Sequence, residues 1–181
     1  MTIKETKLEG CYILQPNVFK DKRGYFIESF NQKTFNRMLN LDVNFVQDNE
    51  SQSSKGVLRG LHYQLGEFAQ AKLVRVIKGS VLDVAVDMRK DSKTFGESVS
   101  IKLTEDNKTQ LFVPRGFAHG FIVLEDETIF SYKCDNFYNK EAEAGVIYND
   151  EHLNINWQLP STDFILSDKD LVLPTFKNAI V

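Results

Sequence analysis

The sequence predicts an all-β fold: a sandwich or barrel of short strands with a few short helices at its periphery. β-Branched and apolar residues fall in short runs. Turn residues separate these runs at intervals of roughly 8 to 12 residues, which is typical of sandwiches and barrels. The chain has 181 residues, of which 42% are hydrophobic and 14 are phenylalanine, enough apolar bulk for one core. We therefore expect a single domain over residues 1–181 with an extended N-terminal arm.

The clearest strand signals lie in the middle of the chain. Residues 73–77 and 81–86 are rich in β-branched side chains, and Lys78-Gly79-Ser80 joins them. This pattern predicts a hairpin. Residues 121–124 and 128–133 lie on either side of an acidic turn and predict a second hairpin.

Other elements are shorter or stand alone. Apolar and polar residues alternate over residues 99–103, as in a half-buried strand, and residues 110–113 follow as another strand. Apolar residues at i, i+3 and i+4 predict an amphipathic helix over residues 32–40. The last third of the chain has no strong periodicity, and we expect only a short helix near residues 167–171.

Composition argues against several classes of protein. The formal net charge is −3, so no polyanion-binding surface is predicted and nucleic acid is not an expected partner. Cys11 and Cys134 form no CxxC motif, as in a reduced intracellular protein. No apolar stretch approaches the roughly 20 residues of a membrane helix, and charges near the N-terminus argue against a signal peptide. We expect a cytoplasmic protein without a membrane partner.

Two of the three histidines lie in apolar runs that contain glycine. These runs are GVLRGLHYQ, residues 56–64, and PRGFAHGF, residues 114–121. In a regular strand Leu58, Gly60 and His62 share one face. Arg59 joins His62 only if Gly60 marks a bulge or bend. An imidazole in an apolar pocket can take or give a proton near neutral pH, so these runs are the first candidates for chemistry.

Histidines on strands also raise the question of a metal. Cupins that bind a metal are small β-barrels with an HxH pair, a glutamate and a further histidine after a PxG turn. Pro114-x-Gly116-x-x-His119 resembles the second half of that pattern, but Gln64 stands where the second histidine of the pair would be. Glu67, on a nearby loop, does not complete a ligand set. We expect a cupin-like barrel without a metal, whose histidines serve as acid–base groups.

A series of motifs carries a more specific resemblance. In order they are Phe19-x-Asp21-x-Arg23-Gly24-x-Phe26-x-Glu28, Gln47-Asp48-Asn49, residues 57–64, Lys72, residues 113–121, residues 132–138, Glu143-x-Gly145, Asn149-Asp150 and residues 166–170. Together they resemble the dTDP-4-dehydrorhamnose 3,5-epimerase family over nearly the whole chain. The resemblance implies inversion of C3 and C5 of dTDP-4-keto-6-deoxy-D-glucose, giving dTDP-4-keto-L-rhamnose. That product leads to dTDP-L-rhamnose and bacterial cell-surface polysaccharide.

The resemblance also implies catalytic roles. Removing a hydrogen beside the C4 ketone gives an enolate, and a proton returning from the opposite face inverts the carbon. His62 would be the base, and Asp170 would orient its ring. Tyr132 would be the acid on the opposite face, and Lys72 would stabilise the enolate oxygen.

A further set of residues would hold the nucleotide sugar. Arg23 and Arg59 would contact the diphosphate. Tyr138 and Phe19 would sandwich the thymine. The remaining ligand positions implied by the resemblance are Glu28, Gln47, Asp48, Asn49, His119, Glu143 and Lys169. For His119 two roles stay open, binding of the substrate carbonyl or of a phosphate.

The family resemblance implies a homodimer, with the segment near residues 19–28 crossing to the neighbouring subunit, and no cofactor. One alternative is an epimerase that inverts only C3 or only C5 of a related sugar nucleotide. A second is a cupin that binds a sugar nucleotide without catalysis and needs no acid–base pair. A third, a metal-dependent cupin oxygenase, would carry a transition metal that elemental analysis detects.

Overall fold

The computed structural model describes residues 1–181 and consists mainly of strands. The strands are β1 (Thr2–Glu5), β2 (Tyr12–Gln15), β3 (Val18–Asp21), β4 (Gly24–Ile27), β5 (Gln47–Ser53), β6 (Leu58–Gln64), β7 (Lys72–Lys78), β8 (Ser80–Asp87), β9 (Ser98–Thr104), β10 (Gln110–Val113), β11 (Phe117–Val123), β12 (Thr128–Cys134) and β13 (Glu143–Gly145). The helices are α1 (Gln32–Leu39) and α2 (Asp168–Leu171), with 3₁₀ turns at Gly66–Phe68, Lys140–Ala142, Ser161–Asp163 and Phe176–Asn178. None of these helices combines the length and apolarity that crossing a bilayer requires. The all-β prediction and both predicted helices are confirmed.

Two antiparallel sheets form the body of the protein. One has six strands in the order β1-β2-β10-β7-β12-β5, and the other has five in the order β13-β6-β11-β8-β9. From β5 to β8, and again from β10 to β13, successive strands alternate between the two sheets. This is the connectivity of a jelly roll, so the predicted cupin-like fold is confirmed. The pair β3–β4 forms a separate two-stranded sheet, the N-terminal arm.

The two predicted hairpins are wrong, although their strands are correctly placed. β7 and β8 lie in different sheets, as do β11 and β12. Between β7 and β8 the chain turns at Gly79, which has φ +79°. A Cβ atom there would lie 2.3 Å from Thr128 Oγ1, so only glycine fits this corner. A short turn therefore joins strands across the sandwich here, a case that the local sequence pattern does not distinguish from a hairpin.

Apolar side chains pack on three surfaces of the two sheets. Between the sheets lie side chains from both, among them Val74, Val81, Leu111, Phe121 and Phe130. The C-terminal segment covers the outer face of the five-stranded sheet through residues such as Trp157 and Leu153. Helix α1 covers the outer face of the six-stranded sheet with Phe35 and Leu39. The sandwich is thus packed between its two sheets and on the outer face of each.

A buried carboxylate at the end of β8 makes stability dependent on pH. Asp87 is fully buried and accepts hydrogen bonds from Arg89, Ser92 and Thr94. Burial alone would raise the pKa of Asp87, but these hydrogen bonds lower it from 3.8 to about 2. Because the folded pKa lies below the unfolded one, the stabilisation is present above about pH 4 and is lost as the pH falls towards 2.

We expect Asp87→Asn to lower the free energy of unfolding at pH 7 by roughly 2 kcal/mol, with a much smaller effect at pH 2. Urea denaturation at the two pH values measures both quantities. Asp106→Asn, in an exposed turn, is the control and should change neither. An equal loss at both pH values would contradict this electrostatic origin.

Candidate active site

A cavity opens between the two sheets and has two adjoining lobes. The first lobe has a volume of about 530 Å³ and includes Arg59, His119, Phe121, Leu166, Lys169 and Asp170 in its lining. The second has a volume of about 310 Å³ and includes Gln47, Asn49, Gln64, Cys134, Tyr138 and Glu143. His62, Lys72 and Tyr132 line both lobes. The three residues predicted to carry the chemistry therefore meet where the lobes join.

Gly60 redirects the side chains of β6 towards this cavity. The pairing of β6 with β11 shifts register at this point, and Gly60 has φ +118°. As a result Leu58 packs in the cluster behind the sheet and only borders the cavity, whereas Arg59 and His62 line the cavity and take no part in that cluster. The expectation for a regular strand, with Leu58 and His62 on one face, is wrong. The bulge alternative is confirmed, and it places a guanidinium beside the imidazole.

His62 is held by a buried carboxylate on the C-terminal segment. Its Nε2 lies 2.5 Å from Asp170 Oδ1, and the side chains are 26% and 4% exposed. Asp170 belongs to α2, which Ser167 caps by accepting a hydrogen bond from the Asp170 backbone N–H. Burial alone would raise the pKa of Asp170, but the hydrogen bond to His62 prevails and the pKa is lowered. An ionised Asp170 favours the proton on Nε2, which leaves Nδ1 free to accept one.

Lys72 and Tyr132 approach from the opposite sheet, on the neighbouring strands β7 and β12. Burial lowers the pKa of Lys72, and the negative groups around it, among them Asp83 and Glu143, oppose this effect only in part. Burial also raises the pKa of Tyr132, against an opposing effect of Arg59. The phenol therefore keeps its proton at neutral pH and can donate it. Tyr132 and Lys72 therefore line the cavity from one sheet, and His62 lines it from the other.

A second histidine–aspartate pair lies beside the first. His119 Nε2 is 3.0 and 2.9 Å from the two oxygens of Asp83, whose side chain is completely buried. His119 is the β11 partner of His62 in the sheet and lines the same lobe. We did not predict Asp83 from the sequence. The available signal was a carboxylate in the middle of an apolar strand, since a buried charge requires a partner.

The second lobe combines an aromatic ring with amides and an ion pair. The Tyr138 hydroxyl donates to Glu143 Oε2 at 2.9 Å, and this bond raises the pKa of Tyr138. Lys169 pairs with the other oxygen of Glu143. Gln47 donates to Asn49 Oδ1 at 3.0 Å. Such a surface suits a flat heterocyclic base with polar edges, and it brings together four of the residues that the resemblance implies, with Lys169 reaching Glu143 from the first lobe.

Four predicted ligand residues lie away from the cavity. Phe19 and Arg23 belong to the N-terminal arm, where the Phe19 residue is 61% exposed and the Arg23 side chain is 83% exposed. Glu28 follows the same arm and is also outside the lining. Asp48 faces the outer side of β5 and pairs with Lys133 at 2.8 Å. Within one chain, these four residues do not join the site.

Several cavity residues were missed by sequence reasoning. They are Glu50, Ser51, Val57, Leu58, Tyr63, Gln64, Gln70, Phe121, Cys134, Ile165, Leu166 and Ser167. Small polar and apolar side chains carry no pattern that separates a cavity wall from a core, so no signal could have selected most of them. No group of three or more His, Cys, Asp and Glu side chains is placed to ligate a metal.

The fold and the cavity define a class: jelly-roll proteins that place an aspartate-oriented imidazole opposite a phenol. A family model described as dTDP-4-dehydrorhamnose 3,5-epimerase matches residues 5–178. The dTDP-4-dehydrorhamnose 3,5-epimerase of Escherichia coli (strain K12) is 52% identical over 181 residues, covering 99% of this chain and 97% of that protein. The chain belongs to the dTDP-4-dehydrorhamnose 3,5-epimerase family.

Solved structures agree with this assignment. The crystal structure of dTDP-4-dehydrorhamnose 3,5-epimerase from Elizabethkingia anophelis NUHP1 superposes with a TM-score of 0.95 at 55% identity, covering 98% of this chain and 97% of that one. A dTDP-6-deoxy-D-glucose-3,5-epimerase from Legionella pneumophila Philadelphia 1, in complex with dTDP-4-keto-L-rhamnose, has a TM-score of 0.94 at 44% identity. The superposed region covers 98% of this chain and 93% of the Legionella chain. The fold is therefore the fold of these epimerases.

Proposed function

We propose that this protein inverts C3 and C5 of dTDP-4-keto-6-deoxy-D-glucose without a cofactor and releases dTDP-4-keto-L-rhamnose for dTDP-L-rhamnose synthesis. One observation carries the proposal: His62 and Tyr132 reach one cavity from opposite sheets. Inversion requires a proton to leave one face of a carbon and another to arrive on the opposite face. Family membership and the ligand named with the Legionella relative support the choice of substrate.

In the first step His62 Nδ1 takes the hydrogen from the carbon next to the C4 ketone. The electron pair of the broken C–H bond forms a carbon–carbon double bond, and the C4 oxygen becomes an enolate. Asp170 stabilises the imidazolium that results, because their hydrogen bond becomes charge-assisted on both sides. The base is thus strengthened at the moment when it acquires its proton.

In the second step Lys72 stabilises the enolate oxygen, and the phenol of Tyr132 completes the inversion. The ammonium of Lys72, which burial disfavours, gains a further counter-charge when the enolate forms. Tyr132 then donates its proton to the opposite face of the carbon, and the phenolate that remains lies near the positive charge of Arg59. Once His62 has lost its proton to solvent and Tyr132 has regained one from it, the same pair of residues can serve the second carbon, because C3 and C5 both flank C4.

The proposed reaction is tested by incubating the purified protein with dTDP-4-keto-6-deoxyglucose in deuterated water. We expect deuterium at both C3 and C5, with both centres inverted, as read by NMR. Label at a single carbon would reduce the assignment to a mono-epimerase. A complete lack of label, with binding retained in calorimetry, would instead favour a non-catalytic binding protein.

We also propose that the protein is a homodimer whose N-terminal arm completes the site of the neighbouring subunit. The arm pairs with neither main sheet, and its Phe26 is 68% exposed, an unusual position for a large apolar side chain unless it is covered. Arg23, implied as a diphosphate ligand, lies outside the cavity of its own chain. Exchange of the arm would supply both a cover for Phe26 and a function for Arg23.

Subunit complementation tests this exchange. We expect His62→Ala and Arg23→Ala to be nearly inactive alone and to regain about a quarter of wild-type activity when unfolded and refolded together, since half the dimers are mixed and each has one intact site. The matched control is a mixture of two variants that both lack His62, namely His62→Ala and His62→Asn. This mixture should regain no activity. Failure of the first mixture to regain activity would contradict the exchange.

A further inference from the structure

One wall of the cavity is formed by residues 163–174, here called the C-terminal wall. It contributes Ile165 and Leu166 to the lining, and it carries Asp170 in α2. The helix has only four residues, too few to hold its position by its own hydrogen bonds. The location of Asp170, and with it the orientation of His62, must therefore depend on how the wall is attached to the barrel.

The first attachment is at Gly56, just before β6. Ile165 N donates to Gly56 O at 2.9 Å, and Leu58 N donates to Ile165 O at 3.0 Å. These two bonds form a parallel bridge between Val57 and Ile165. Gly56 has φ +86°, and a Cβ atom at this position would lie 2.1 Å from the carbonyl oxygen of Asp163. Any side chain here would push the backbone of the wall away.

The second attachment is at Gly145, the last residue of β13. Ile147 N donates to Pro174 O at 2.9 Å. A Cβ atom at Gly145 would lie 2.6 Å from the backbone carbonyl oxygen of Leu61 on β6 and 2.9 Å from both methyl carbons of Leu173. Leu173 thus fills the space that the absent side chain leaves. The two attachments lie on either side of Asp170 in the sequence and use none of the residues to which the proposed mechanism gives a chemical role.

We propose that Gly56 and Gly145 are positioning residues of the epimerisation: their lack of a side chain lets the C-terminal wall bring Asp170 to His62. This inference rests on the proposed function. The contact between Asp170 and His62 is 2.5 Å, so a displacement of the wall by about 1 Å would take it to the limit of a hydrogen bond. The base would then lose the partner that orients it.

A double-mutant cycle tests the inference, with Gly56→Ala made in the wild-type and in the Asp170→Asn background. In the wild-type background we expect kcat to fall about tenfold or more with KM within about threefold. In the Asp170→Asn background the further loss should be under about twofold, because the positioned carboxylate is already absent. Gly66→Ala is the control: Gly66 also has positive φ (+56°), but no atom lies within 4 Å of its added Cβ.

Two results would overturn the inference. One is an equal loss of kcat in both backgrounds, and the other is an unchanged kcat in Gly56→Ala. If Gly56→Ala does not fold, Leu173→Ala replaces it in the same cycle, with an expected loss of about threefold that again depends on Asp170. Turnover by the wild-type protein in the same assay shows that the proposed function holds, so failure of the cycle concerns the positioning alone.

Discussion

His62→Ala is expected to lower kcat for epimerisation by roughly 10³-fold and to abolish hydrogen exchange at both C3 and C5. The cavity contains a second histidine, His119, but its Nε2 is bound by both oxygens of Asp83. The His119 side chain is also only 7% exposed, against 26% for His62, so it is less accessible to a bound sugar and is not expected to replace the missing base. NMR in deuterated water measures exchange and inversion in the same sample.

The matched control for this prediction is His152→Ala. His152 is the third histidine of the chain, is exposed and stacks on Phe176, far from the cavity lining. Its removal should leave both rates within about twofold of wild type. Substantial exchange by His62→Ala at either carbon would assign the base to another residue.

Tyr132→Phe is expected to separate exchange from inversion. The base and its carboxylate stay intact, so His62 can still remove a proton and return solvent deuterium to the same face. Inversion should fall by roughly 10²- to 10⁴-fold, because no acid remains on the opposite face. Recovered substrate should therefore carry deuterium with its original configuration. Burial raises the pKa of Tyr132, so inversion by the wild-type protein should not require alkaline pH.

Tyr148→Phe is the control for this second prediction. Tyr148 packs against Phe164 behind the five-stranded sheet, so loss of its hydroxyl should change neither rate. Inversion at the wild-type rate by Tyr132→Phe would remove Tyr132 from the mechanism. Loss of exchange together with inversion would indicate that Tyr132 acts with the base rather than opposite it.

The positions of the strands could be predicted from the sequence because alternation and turn residues act locally. Their pairing could not, since β7 and β8 are joined by a short turn yet lie in different sheets. The small space around Gly79 determines that the chain crosses to the other sheet here, because Thr128, from a distant part of the sequence, packs against this glycine. The residues next to Gly79 in the sequence give no sign of such a long-range contact, so it cannot be predicted from them.

The acid–base residues could be proposed from motifs, but their arrangement needed the fold. Gly60 turns Arg59 into the cavity only through the register shift between β6 and β11. Asp83 is recognisable as functional only once His119 is seen beside it. The arm residues Phe19 and Arg23 carry family motifs but lie outside the cavity of their own chain, which is why we propose that they act in the site of a second subunit.

A crystal structure of the protein with a bound dTDP-4-keto-6-deoxy sugar tests the central claim most directly. The quantity to measure is the distance from C3 and C5 to His62 Nδ1 and to the Tyr132 hydroxyl oxygen. We predict that the imidazole lies within about 3.5 Å of one of these carbons, with the hydroxyl on the opposite face of the sugar ring. Both groups on one face of the ring, or a sugar bound outside the space between the two sheets, would contradict the account.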